Sequence, residues 1–224
     1  MSNPIYIQVI YPHLMWLRKQ RDNVADVSER RGANAGIILF SSIFLEGFLE
    51  EVLCGCVDYY ANDTLDGKSK ELERIEKLTA LRWYKKEFEN LGLSLDTFLN
   101  AEEREDLEAV FQFRHRIAHG QRDSYLVFHG EDFTPDGTSG SHYEWLEQFL
   151  YRRGVLSKPK SVQPNVDFCT FSDPAADWVF DAVVRLVEKL LSKFEEEGPQ
   201  HLSLITRLRM MRMLLDSRLA TMKA

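Results

Sequence analysis

The chain has 224 residues, of which 44% are hydrophobic and 12% aromatic; that is enough apolar material for a sizeable core and excludes a disordered chain. Its formal charge is −7, so no global basic field draws in nucleic acid, and any RNA contact must come from a local patch. Cys54, Cys56 and Cys169 are odd in number, at spacings that suit neither a disulfide framework nor a zinc knuckle, and read as reduced thiols.

Helical periodicity dominates the pattern in chain order, without internal repeats. A first helix is predicted from about Pro12 to Arg31, with Leu14, Leu17, Val24 and Val27 as apolar positions and Gly32 as its stop. A second, Asn34 to Ala61, is apolar almost all round through Ile37–Leu45 and should be the central buried helix. Its apolar run is broken by Glu46 and falls short of the about 20 residues that span a bilayer. A third runs from about Ser69 to Leu91. A fourth opens at Asn100, with Glu103 placed for a capping box, and ends near Gly120.

The stretch from 121 to 172 is richer in glycine and proline and reads as an insertion. It holds two strand-like runs, Ser124–Phe128 and Val166–Phe171, that could pair as a hairpin, and a short helix from Ser141 to Tyr151. A fifth core helix starts at Asp173-Pro174, with Asp173 as N-cap and Pro174 at the first helical position, carries Trp178, Val179, Ala182, Val183, Leu186, Leu190 and Phe194 on one side, and ends before Gly198. The last segment, 199–224, is amphipathic, with Leu204, Leu208, Met211, Leu215 and Leu219 aligned, and it carries five basic residues against one acid. Such a helix can meet RNA phosphates or an anionic membrane, but packing on the bundle or on a second subunit is the commonest fate of such a stripe. The expected fold is therefore all-α, a helical domain over 1–198 with a strand-containing insertion at 121–172, followed by a C-terminal helix. The first basic residue is Arg18, so the N-terminus does not read as a signal peptide, and a cytoplasmic protein without membrane contact is expected.

The chemistry concentrates in Phe111-Gln-Phe-Arg114-His115-Arg116-Ile-Ala-His119-Gly120. On a helix turning about 100° per residue, Leu107, Val110, Phe111, Phe113, Ile117 and Ala118 form one apolar arc, and Arg114 falls inside it. A guanidinium stays charged, so it must meet a carboxylate, a phosphate or another subunit. Glu46, which interrupts the apolar face of the second helix, is the candidate partner, and an internal Arg114–Glu46 ion pair that only fixes packing is the bland alternative. His115 and His119 lie together at one edge of the arc and offer acid–base chemistry near neutral pH. Their i, i+4 spacing would also suit two metal ligands, but Arg116 between them would repel a cation, and no metal is expected. The glycines form no phosphate loop, and no cofactor is expected. Trp83, Tyr84, Trp145 and Trp178 sit at helical spacing and read as core, not as base-stacking rings; His129 and His142 read as surface residues.

Arg114-His-Arg-Ile-Ala-His119 resembles the Arg-x4-6-His motif of the HEPN superfamily, where the residue after the arginine is often Asn, Asp or His and a glycine often follows the histidine. Glu46 in the stretch FLEGFLEEV is similar to a glutamate often found in that family's earlier core helix, and the order of helices fits over about Pro12 to Phe194. The resemblance implies an up-and-down helical bundle that dimerises through its motif-bearing helices and cuts RNA without metal, leaving a 2′,3′-cyclic phosphate. It implies His119 as the acid–base residue, Arg114 as the phosphate holder, His115 as an orienting group and Glu46 as the residue that positions Arg114. A toxin or phage-defence setting, with an antitoxin or regulatory partner, follows from the resemblance alone. One departure stands out: in the branch silenced by nucleotidyltransferase antitoxins a tyrosine follows two residues after the histidine, and here that position is Gln121. The alternative is a non-catalytic module of the same family that binds a nucleotide, an RNA or a protein.

Overall fold

A computed structural model gives the fold and describes residues 6–60, 80–119, 141–156, 171–198 and 202–223. A π-helical turn, Tyr6–Ile10, leads into α1 (Tyr11–Asp22), followed by α2 (Val27–Tyr60), α3 (Ala80–Asn90), α4 (Leu95–Phe98), α5 (Ala101–His119), α6 (Ser141–Arg152), α7 (Asp173–Glu197) and α8 (Leu202–Lys223). Among the described residues there is no strand. The expected strand-like runs, and the third helix before Ala80, lie outside the described residues except for Phe171, which sits in a turn.

At 34 residues, α2 is the axis of the bundle, about 51 Å long. From Ile37 to Leu49 it buries residues on nearly every side, which is what its unbroken apolar run demands. α1 covers one side antiparallel to it: Leu17 packs at Gly36, His13 meets Phe40 and Tyr11 meets Phe44. α7 covers another with a fully buried stripe of Val179, Ala182, Val183, Leu186, Leu190 and Phe194, while Trp178 is half-buried. Phe194 joins four helices, with its ring 6.5 Å from Phe48, 5.1 Å from Phe88 and 5.1 Å from Phe98. Each such ring contributes roughly 1.5–3 kcal/mol by leaving water.

Three expected boundaries are corrected. The first helix does not run to Arg31: α1 ends at Asp22, where Asn23 donates to the Lys19 carbonyl, and α2 already begins at Val27. Asp26 is the reason, because its carboxylate accepts the free N–H groups of Ser28 and Glu29, both at 2.9 Å. Gly32 is thus not a stop but an exposed position inside α2, and Val27 is exposed too. The cap of α7 is Ser172, whose hydroxyl accepts from the Ala175 N–H, and not Asp173. The Asp173 carboxylate is engaged instead by Arg30 and by Asn34, and the Arg30 hydrogen bond, foremost, holds it below the usual range. α4, which buries Leu95 and Phe98, has no counterpart in the sequence reading.

α8 returns antiparallel along the far end of α2 and buries Leu204, Leu208, Met211 and Leu215. Two of its basic residues are taken up by the bundle: Arg207 pairs with Glu51 at 2.7 Å and Arg212 with Glu195 at 2.6 Å. The approach of α8 depends on Gly55, since a Cβ there would lie 2.9 Å from Leu204 Cδ1 and 3.4 Å from the Leu204 backbone. Gly55→Val is therefore expected to push α8 off α2 and cost ~1–3 kcal/mol, read as a lower urea midpoint. An unchanged midpoint would mean that the two helices do not pack this closely.

Candidate functional site

The site begins with a cap. Asn100 Oδ1 accepts from the Glu103 N–H at 2.9 Å, and Glu103 Oε2 accepts from the Asn100 N–H at 2.7 Å, so α5 starts where the sequence places it. That fixes the phase of the helix and turns Leu107, Val110, Phe111 and Phe113 into the core. Arg114 follows on the same side, half-buried against α2.

Two contacts one turn apart hold α5 to α2. The Ser42 hydroxyl donates to the Ile38 carbonyl at 2.9 Å and stands 3.3 Å from the Val110 carbonyl. One turn further in each helix, Arg114 Nε lies 3.0 Å from Glu46 Oε1. Both partners advance together, so the two helices run in the same direction. α3 lies across this junction: the Tyr84 hydroxyl donates to the Glu46 carbonyl at 3.4 Å, and its ring packs on Phe111.

The pair is asymmetric. The Glu46 side chain is 15% exposed and that of Arg114 is 28% exposed. Glu46 Oε1 is shut off from water and faces the Arg114 guanidinium. Burial raises the Glu46 carboxyl above the usual range; the Arg114 charge opposes that rise and Glu50 adds to it. The guanidinium has two further Nη groups, and with this exposure it can offer them to an anion.

The other expected site residues divide in two. His115 is half-buried beside Arg114 on α5. His119 is the last residue of α5, about 7.5 Å further along the axis and about 140° around from Arg114; its side chain lies outside the described residues. Ser42 and Tyr84 were not among the expected residues. Ser42 left a trace, a serine pair inside an apolar run, whereas Tyr84 left none, because its partner is a backbone carbonyl of another helix.

Among the described residues, no group of three His, Cys, Asp or Glu is placed to hold a metal ion. Cys54 is exposed, and Cys56 is buried with its thiol pushed up to about 11. No described helix is long and apolar enough to cross a membrane. No protein-family model, no curated protein and no solved structure matches the chain.

The Arg114–Glu46 pair makes a pH-dependent prediction. Glu46 in the folded chain keeps its proton to a higher pH than in the unfolded chain, so its burial weakens the fold as pH rises through that interval. Removing Arg114 removes the charge that opposes this shift. Arg114→Met should therefore cost ~1–3 kcal/mol at pH 7, less than a fully buried pair because the guanidinium is partly solvated. The loss should shrink towards pH 5, where Glu46 is neutralised at smaller cost. Urea unfolding of both proteins at the two pH values checks this, and an equal loss at both would sink it.

Proposed function

We propose that the chain is a metal-independent RNA endonuclease of the HEPN type, built on the bundle characteristic of that family and acting as a homodimer through its α5 helices. The observation that carries this reading is the guanidinium of Arg114, fixed on an apolar helix face by Glu46 of the neighbouring helix yet still 28% exposed, at the head of an Arg-x4-His motif. A packing pair alone gains nothing from leaving its cation open, whereas a phosphate holder needs it so.

In this reading the 2′-oxygen of one nucleotide attacks the adjacent phosphorus, and the bond from phosphorus to the 5′-oxygen breaks. His119 moves the proton from the attacking hydroxyl or to the departing oxygen. Arg114 binds the phosphate through its Nη groups and stabilises the charge that builds on it. His115 orients, and Glu46 keeps the guanidinium in place through Nε. The angle of about 140° between Arg114 and His119 is the reason for the dimer: one helix does not aim both at one phosphate, but two helices across a two-fold axis do.

Purified protein is expected to cut total RNA and tRNA in EDTA and to leave cyclic phosphate ends. His119→Ala should lose about 10²–10⁴-fold in rate. Arg114→Lys, which keeps a charge but not the fork of donors, should lose roughly 10²-fold. No cleavage by a folded, dimeric wild type would turn the reading to a non-catalytic module that binds RNA or a protein.

A further inference from the structure

Most aromatic rings of the chain pack in or against the core, and Trp16 does not. In the folded chain Trp16 is 53% exposed, on α1 rather than in the core. Its indole is stacked on His13, with ring centroids 5.5 Å apart and planes at 24°. His13 in turn stands edge-on to Phe40 of α2, at 4.7 Å and 72°. The exposed ring is therefore backed by a second ring and wedged by a third, which sets its plane before any ligand arrives.

We infer that Trp16, backed by His13, is a stacking platform for one base of a single-stranded RNA, with Lys19 beside it for the neighbouring phosphate. This rests on the ribonuclease reading above and extends it to substrate binding.

Three features favour a base over a protein surface. A stacked ring pair presents a flat π face, which any nucleobase matches. Among the described residues the exposed large apolar side chain nearest before Trp16 in the chain is Val9, seven residues away, so the described apolar surface here is little more than one ring, against the roughly 800 Å² that each side of a stable protein interface needs. The charge also fits: Lys19 is exposed, one turn from Trp16 on the same face, and makes no ion pair among the described residues. No acidic residue lies in α1 before Asp22. His13 meets Phe40, six residues before Glu46 on α2, so the platform stands about 9 Å or more along that axis and on a different face of α2 from the Arg114 pair, and a strand that reaches both must run around the bundle.

The test separates this inference from the nuclease reading by measuring binding without cleavage. The probe is a fluorescein-labelled single-stranded oligonucleotide with 2′-O-methyl riboses, which has no attacking hydroxyl, and the readout is anisotropy. Trp16→Ala should weaken Kd by about 5- to 150-fold, with the helical circular dichroism retained. Trp16→Phe, which keeps a flat ring, should stay within about threefold of wild type. Equal Kd for wild type and Trp16→Ala overturns the platform, as does a wild type that does not bind the probe. Dissociation of a dimer by Trp16→Ala with Kd unchanged would assign the ring to a second copy of the chain. A wild type that binds through Trp16 but leaves natural RNA uncut keeps the platform and removes the nuclease.

Discussion

The burial of α2 governs the rest. A helix covered on nearly every side leaves little water to its buried polar groups, and several of them find a partner on a neighbour. Asn34 names α7, donating to the Phe171 carbonyl and to Asp173. Ser42 and Glu46 name α5, and Glu51 names α8 through Arg207. The apolar surface supplies the energy of the bundle, but it fits many sliding arrangements about equally well. The polar contacts select one of them, because each is costly if left unmade.

Arg114 belongs to that system of constraints as well as to the candidate site. An ion pair taken from water is seldom a net gain in stability, since desolvation offsets attraction. The raised carboxyl of Glu46 is the visible sign of that cost. Preorganisation is what offsets it: a guanidinium locked by a carboxylate below and by a capped helix behind meets an anion without first being ordered. The Ser42 contact one turn earlier adds to this, because a slip of α5 along α2 would break it together with the ion pair.

What could be read from the sequence follows from the range over which each signal acts. The capping box of Asn100 and Glu103 is local, and it places the start of α5 correctly. The central position of α2 was legible because its apolar residues fill the whole wheel, and the pairing of Arg114 with Glu46 because each interrupts an apolar face in the same way. The junction of α1 and α2 was misread because Gly32 and Asp26 are rival punctuation, and only the carboxylate has N–H groups to satisfy. Asp173 beside Ser172 is the same problem at α7: either side chain can cap, and the choice falls to Arg30 and Asn34, which lie over 130 residues away in sequence. Tyr84 was legible as core but not as a partner of the Glu46 carbonyl, and Trp16 was not singled out, since the role of each depends on a neighbour supplied by the fold.

The same contacts decide how a chain of net charge −7 would hold a polyanion. Much of its basic side-chain supply is already spent: Arg18 and Arg21 on Asp177, Arg153 on Asp106, Arg207 on Glu51 and Arg212 on Glu195. In α8, basic in sequence, Arg207 and Arg212 are in this respect struts that face acids of α2 and α7. Attraction at long range is thus weak, and under the proposed reading affinity would come from short-range terms: stacking on a fixed ring, a forked contact at one phosphate, and the doubling of both if two copies meet. Such a site gains little from counterion release and much from geometry. Under the proposed reading, a flexible single strand could splay a base onto Trp16, whereas a regular duplex with its bases stacked inside has no base to give.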